Sequence, residues 1–150
     1  MSKVPTKFTT ESYIKVCTDF RGFHQWLGAP DEVAFLRDLH RHTFYVEVAI
    51  PVQHHDRDLE FFLVQRQIDT ILAGLYRVQG TTGNVEGYNL GERSCEMIAT
   101  ELGNQLFDDY PQVNELTISV SEDNENFGIV KLTRVEGNTG MIELRGEKDQ

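Results

Sequence analysis

The residues best suited to chemistry are His40 and His42, one residue apart in Leu39-His40-Arg41-His42-Thr43-Phe44-Tyr45-Val46-Glu47-Val48. Imidazole is a common zinc ligand, and a catalytic zinc typically takes three protein ligands and keeps one position open. The pair therefore reads as part of a metal site, with Zn2+ as the ion and a third ligand drawn from elsewhere in the chain. Two solvated histidines at a strand start are the alternative reading of an isolated His-x-His.

The element that must position the pair is a strand. Side chains two apart on a strand share a face, so the face of His40 and His42 continues through Phe44, Val46, Val48 and Ile50, while Thr43, Tyr45 and Glu47 take the other side. Upstream, Ile14, Val16 and Phe20 alternate with Lys15 and Asp19 within residues 8–20, which predicts a first strand running toward His24. The segment from Gln25 to Arg37 holds Gly28, Ala29, Pro30, Asp31 and Glu32, a turn-rich connection to a second strand beginning near Leu39. Antiparallel pairing of the two strands can bring His24 beside His40 and His42 as the third ligand.

Beyond a polar stretch containing His54 and His55, the residues Val64, Ile68, Ile71, Leu72 and Leu75 recur at helical spacing and predict a helix from Leu59 to Tyr76. Gln79 to Arg93 carries four glycines and reads as a long loop. Ser94 is an N-cap candidate for a second helix, with Glu96 in its first turn and Ile98, Leu102 and Leu106 on its apolar stripe. Leu116, Ile118 and Val120 alternate with polar residues in a third strand, and Asn124-Glu125-Asn126 leads into a fourth, from Phe127 to Val135. The predicted order is β-β-α-α-β-β in one domain of 150 residues, with a core over 8–134 and a C-terminal extension over 135–150. Met141-Ile142-Glu143-Leu144 in that extension suits a short added hairpin or an oligomer contact.

Acidic residues number 24 against 14 basic ones, for a formal net charge of -10, and no Lys/Arg cluster is present to neutralise a phosphate backbone. Nucleic acid is excluded as the expected partner. No apolar run approaches the ~18 residues of a spanning helix, and no basic segment with a following apolar stretch opens the chain, so a cytoplasmic protein without a membrane partner is expected. Cys17 and Cys95 form neither a C-x-x-C pair nor a cluster with histidine, and read as reduced, mostly buried thiols.

Phe20-Arg21-Gly22-Phe23-His24 and Leu39-His40-Arg41-His42, with this element order, resemble the 6-pyruvoyltetrahydropterin synthase and 6-carboxytetrahydropterin synthase family. The family pattern is Phe-x-Ala-Ala-His followed by Leu-His-Gly-His-x-Tyr/Phe. Arg93-Ser94-Cys95-Glu96-Met97-Ile98-Ala99 is similar to its Pro-Thr-Ser/Ala-Glu-x-Leu-Ala helix start, and Val120-Ser121-Glu122-Asp123 to its Val-x-Glu-Thr. The resemblance implies an α+β T-fold, with two helices on one face of a four-stranded antiparallel sheet. It also implies strands joining between subunits into a barrel, in a trimer or a hexamer of two trimers. It assigns His24, His40 and His42 to zinc and Glu122 to the pterin. A carboxylate suits that role, accepting two hydrogen bonds from the paired N–H donors of a 2-amino-4-oxo pyrimidine edge.

The implied activity is a zinc-dependent lyase reaction on a pterin such as 7,8-dihydroneopterin triphosphate, in tetrahydropterin or 7-deazaguanine (queuosine-type) biosynthesis. Two departures bear on the proton transfer. Leu36 stands where these enzymes carry a catalytic cysteine, and no Asp or His occurs between Arg77 and Arg93 to match their Asp-His pair. Asp38 and Glu86 are the candidate replacements, with Tyr88 as a further proton donor; Asp38 can also be a surface carboxylate or an acceptor that orients a ligand histidine. Two other readings remain: a pterin- or purine-handling enzyme with different chemistry, and a non-catalytic zinc- and pterin-binding protein.

Overall fold

The alternation in the first third of the chain folds as a long hairpin. In the computed structural model, which describes residues 7–77 and 87–135, β1 (Ser12–His24) and β2 (His40–Val52) pair antiparallel from Ser12 opposite Val52 to His24 opposite His40. Between them lies a short 3-10 turn, Asp31–Arg37. Then come α1 (Phe61–Tyr76), β3 (Tyr88–Asn89), α2 (Cys95–Asp109), β4 (Glu115–Glu122) and β5 (Asn126–Thr133). The expected α+β T-fold is thus present, and the sheet order is β3-β1-β2-β4-β5.

Burial follows the period of two. Phe44, Val46, Val48 and Ile50 of β2 and Leu116, Ile118 and Val120 of β4 are at most 1% exposed, and they form one core with Val64, Ile68 and Leu72 of α1 and Ile98, Leu102 and Leu106 of α2. Each side chain so enclosed contributes roughly 1.5–3 kcal/mol. Both helices cover this face. Glu60 caps α1 by accepting from the backbone N–H groups of Phe62 and Leu63, both at 3.1 Å, so the helix starts two residues after the expected Leu59. Ser94 caps α2 as expected, its Oγ accepting from Met97 N at 3.2 Å.

Several expectations need correction. The sheet has a fifth strand: β3 pairs parallel with β1, Gly22 opposite Tyr88 and Phe23 opposite Asn89, so the sheet is not wholly antiparallel. Leu75 is 39% exposed, and Tyr76 takes the buried position at 2%. Tyrosine is tolerated there because its hydroxyl donates to Glu101 Oε1 at 2.5 Å. Cys17 is exposed, leaving Cys95 as the buried thiol. Glu86 and residues 136–150, with Met141–Leu144 among them, lie outside the described residues. No helix among those described is long and apolar enough to cross a membrane.

Candidate metal centre and cavity

The register of the hairpin assembles the centre. His24 is opposite His40, and Gly22 is opposite His42, so all three imidazoles emerge from one end and one face of the sheet. Their ring centroids are 4.5 Å apart for His24 and His40, 5.0 Å for His40 and His42, and 5.5 Å for His24 and His42. One nitrogen from each falls within 4.8 Å of the other two.

Each ring is held from behind. His24 Nδ1 lies 3.0 Å from the Arg93 carbonyl, His40 Nδ1 2.8 Å from the Asp38 carbonyl, and His42 Nδ1 2.7 Å from Asp123 Oδ2. All three partners are acceptors, so each Nδ1 carries the proton and each Nε2 is the nitrogen with a free lone pair. Nε2 of His24 and of His42 are buried without a hydrogen-bond partner. Three imidazoles held this way through Nδ1 can offer Nε2 to a zinc ion when they are neutral, and outer acceptors of this kind fix the tautomer a metal requires.

The backbone acceptors depend on neighbouring segments. Leu90 N donates to Phe23 O and Gln25 N to Gly91 O, both at 2.9 Å, zipping the residues after β3 along the end of β1 until the Arg93 carbonyl meets His24. Gly22 permits this approach, since a Cβ there would lie 3.0 Å from Leu90 Cδ1 and 3.1 Å from the Phe44 ring. The Arg93 side chain is fixed as well. Its Nε donates to Glu101 Oε1 at 2.8 Å, and its guanidinium stands 5.2 Å from the centroid of the Tyr76 ring.

Glu122 faces the same way, as its strand parity requires, but it stands against the histidines rather than across a cavity from them. Its Oε2 is 3.0 Å from His24 Nε2 and its Oε1 3.6 Å from His42 Nε2. With the His24 proton on Nδ1 this contact sets a carboxylate oxygen against a bare ring nitrogen, and it becomes an ion pair only when the ring takes a second proton. Contact with His24 holds the Glu122 carboxyl below its ordinary range, against the opposing effect of burial. For His24, burial is the largest influence and disfavours the charged ring. The Glu122 carboxylate and the Arg93 carbonyl together outweigh it, so its pKa is raised.

A cavity of about 480 Å³ opens beside His24, His40 and Glu122, walled by the first turn of α2 from Ser94 to Met97 and by Trp26, Leu36 and Phe127. Its size suits a bicyclic heterocycle. Leu36, the residue that replaces the cysteine implied by the resemblance, is part of this wall. Asp38 is exposed and absent from the lining; β2 begins only at His40, and it is the Asp38 backbone carbonyl that meets the His40 ring. Tyr88 lies in β3, its ring stacked on Phe20 at 5.0 Å.

Sequence reasoning passed over Asp123. It occupies a turn at φ 55°, followed by Asn124 at φ 62°, a left-handed backbone that Asp and Asn tolerate better than most residues. There its Oδ1 accepts from Thr43 N at 2.9 Å while Oδ2 holds His42. The available signal was a second carboxylate directly after Glu122, at a strand end that pairs beside the histidine strand.

No family model matches the sequence, and no curated protein does. Solved structures do share the fold. The 6-pyruvoyl tetrahydropterin synthase of Plasmodium falciparum superposes with a TM-score of 0.60 at 16% identity, over 83% of this chain and 99% of that one. A catalytic-residue mutant of the Plasmodium vivax synthase, with glutamate replaced by cysteine, gives 0.60 at 17% identity over the same shares. An uncharacterized protein of Wolinella succinogenes gives 0.56 at 16% identity, over 81% of this chain and 98% of that one. The chain is a T-fold protein. Within that class its architecture is that of the 6-pyruvoyltetrahydropterin synthases.

Proposed function

We propose that the chain is a zinc-dependent enzyme acting on a pterin of the dihydroneopterin class, with lyase chemistry at the pterin side chain, in tetrahydropterin or 7-deazaguanine biosynthesis. The observation that carries this reading is the set of His24, His40 and His42, each tied through Nδ1 to an outer acceptor and each presenting Nε2 inward, beside a heterocycle-sized cavity that Glu122 enters. The synthases that share the fold support it. The three histidines would hold the ion, and a bound zinc would polarise an oxygen on the ligand's side chain. Glu122 would accept N–H bonds from the amino-pyrimidine edge. The P. vivax synthase has a glutamate as a catalytic residue, and the carboxylates lining this cavity are Glu92, Glu96 and Glu122. A carboxylate here is therefore the group to take the proton, in place of a thiol.

Elemental analysis and pterin turnover of the zinc-reconstituted protein test this reading. One zinc per chain is expected, lost in His42→Ala, with product formed from a dihydropterin. A wild-type protein that stays metal-free after reconstitution would sink the metal assignment. Leu36 at the cavity wall favours a second reading, a non-catalytic zinc- and pterin-binding protein. Tight binding without product at any pH would establish that one.

Assembly through the sheet edges belongs to the same proposal. The edge strand β5 leaves Phe127 50% and Ile129 64% exposed, and pairing with a second copy would cover an edge of this kind. Light scattering is expected to give a trimer or hexamer; a monomer at micromolar concentration would exclude the barrel.

A further inference from the structure

The three ring acceptors are delivered in different ways. His40 takes the carbonyl of Asp38, two residues back in the chain. His42 takes Asp123, which the pairing of β2 with β4 sets beside Thr43, its own N–H donating to the Thr43 carbonyl at 2.8 Å. His24 depends on the carbonyl of Arg93, 69 residues away at the step from β3 into α2. The backbone bonds that zip this segment to the end of β1 stop at Gly91, and Glu92 adds a side-chain bond, its Oε1 accepting from Leu27 N at 3.1 Å. The Arg93 carbonyl lies beyond both.

Arg93 is held through its side chain. Its backbone N–H and its NH1 both donate to the carbonyl of Leu90, at 3.0 and 3.3 Å, and Leu90 is wholly buried. Its Nε donates to Glu101 Oε1 on α2 at 2.8 Å. The same oxygen accepts from the hydroxyl of Tyr76, the last residue of α1, whose ring stands 5.2 Å from the guanidinium. Burial, then Glu101, push that hydroxyl above its ordinary range, so it remains a donor. One carboxylate oxygen thus gathers α1, α2 and the Arg93 side chain. The Arg93 and Glu101 side chains are each 38% exposed, and ion pairs of that exposure contribute little to stability. What this pair fixes is a position.

We propose that Glu101 is a positioning residue for the metal centre: by holding Arg93 against Tyr76, it aims the carbonyl that keeps the His24 proton on Nδ1 and leaves Nε2 for the ion. The inference rests on the zinc reading above. His24 needs such a hold because its other tautomer has an acceptor at hand. Glu122 Oε2 stands 3.0 Å from Nε2, and a small turn of the ring would let a proton there be donated to it. That tautomer cannot bind a metal through Nε2. The Arg93 carbonyl must therefore compete for the proton with a carboxylate, and it does so only while it stays in line with Nδ1. His40 and His42 have their acceptors fixed without Glu101, so the effect falls on one ring of the three.

Long-range proton–nitrogen correlation spectra of the metal-free full chain, taken at alkaline pH where the rings are neutral, read the three tautomers directly. Wild type is expected to hold all three histidines in the Nδ1–H form. Arg93→Ala, which keeps the backbone carbonyl, and Glu101→Ala are each expected to give His24 mixed tautomers while His40 and His42 stay unchanged. Zinc affinity, from chelator competition, is expected to fall about threefold to tenfold in each, less than the loss of a direct outer partner. The double variant is expected to lose no more than Arg93→Ala alone, because Glu101 acts through Arg93. Glu101→Gln keeps an oxygen for both donors and is expected to restore the wild-type pattern. Arg93→Ala leaves Tyr76 its partner, so it decides the question if Glu101→Ala does not fold. A His24 unchanged in both single variants, equal disturbance of all three rings, or losses that add in the double variant overturns the proposal. A wild-type chain that binds no zinc would sink the metal reading instead, and the tautomers of the metal-free chain would still decide whether Glu101 holds His24.

Discussion

Asp123 Oδ2 lies 2.7 Å from His42 Nδ1, while the other oxygen of the same carboxylate accepts from the backbone of Thr43 at 2.9 Å. Contact with His42, then with the Thr43 N–H, holds the Asp123 carboxyl below its ordinary range. The carboxylate thus orients the ring, fixes its tautomer and makes Nε2 a better donor to a metal. Asp123→Asn preserves the left-handed turn but removes the charge. Zinc affinity, measured by chelator competition, is expected to fall about tenfold to a hundredfold, with little change in thermal midpoint because the side chain is 45% exposed. Unchanged affinity would show that the contact does not tune the metal.

Glu122 can be assigned by separating metal content from pterin affinity. Its oxygens reach the face of the histidines where an ion would sit, and the residue also lines the cavity. If it recognises the pterin, Glu122→Gln keeps one zinc per chain and weakens pterin binding by about tenfold or more, since a lost charge-assisted pair costs about 1.5–3 kcal/mol. Loss of zinc instead would make Glu122 a metal ligand.

Asp38→Asn is expected to leave both zinc content and turnover unchanged. His40 is held by the Asp38 backbone carbonyl at 2.8 Å, which the substitution retains, and the carboxylate is exposed outside the cavity. A large fall in turnover with zinc still bound would return Asp38 to the role of base.

Much of this arrangement was legible because it rests on side-chain period. The alternation through Phe44, Val46, Val48 and Ile50 fixes which way His40 and His42 point, and the same parity carries Val16 and Phe20 to His24. The less legible parts are backbone acts. The carbonyls of Arg93 and Asp38 hold two of the rings, and any residue type can supply a carbonyl. Two-residue β3 is likewise too short to show a period. Tyr76 displaces Leu75 from the core because a distant partner, Glu101, satisfies its hydroxyl, and helical spacing alone does not reveal such a partner.

Cys95 supplies a pH signature. Burial, then the negative charges of Glu122 and Glu96, push its thiol up to about 12 from an ordinary 9.0. Unfolding releases it, so between those values the unfolded chain binds fewer protons than the folded one, and this group lowers stability as pH rises. Below pH 9 it contributes no slope. Denaturant melts at pH 8 and pH 10 are expected to show a larger alkaline loss for wild type than for Cys95→Ala. At pH 8 iodoacetamide is expected to label exposed Cys17 and to reach Cys95 only after unfolding.

Gly87 connects backbone geometry to the candidate metal centre. Its φ is +108°, and a Cβ there would lie 2.6 Å from the Arg21 carbonyl oxygen, a backbone atom that cannot swing aside. Gly87→Ala must therefore push the start of β3 away from β1, straining the Leu90 N–H bond to Phe23 and, behind it, the Arg93 carbonyl that holds His24. We expect zinc affinity to fall about tenfold or more, the scale of losing an outer acceptor, with far-UV dichroism largely retained because both helices lie elsewhere and β2 pairs along the other edge of β1. Gly74→Ala is the matched control. A Cβ at Gly74 meets nothing within 4 Å on α1, so the substitution should raise stability by roughly 0.5–1 kcal/mol without touching metal affinity. If both variants bind zinc like wild type, β3 does not hold the centre in place, and the hairpin alone suffices to position His24.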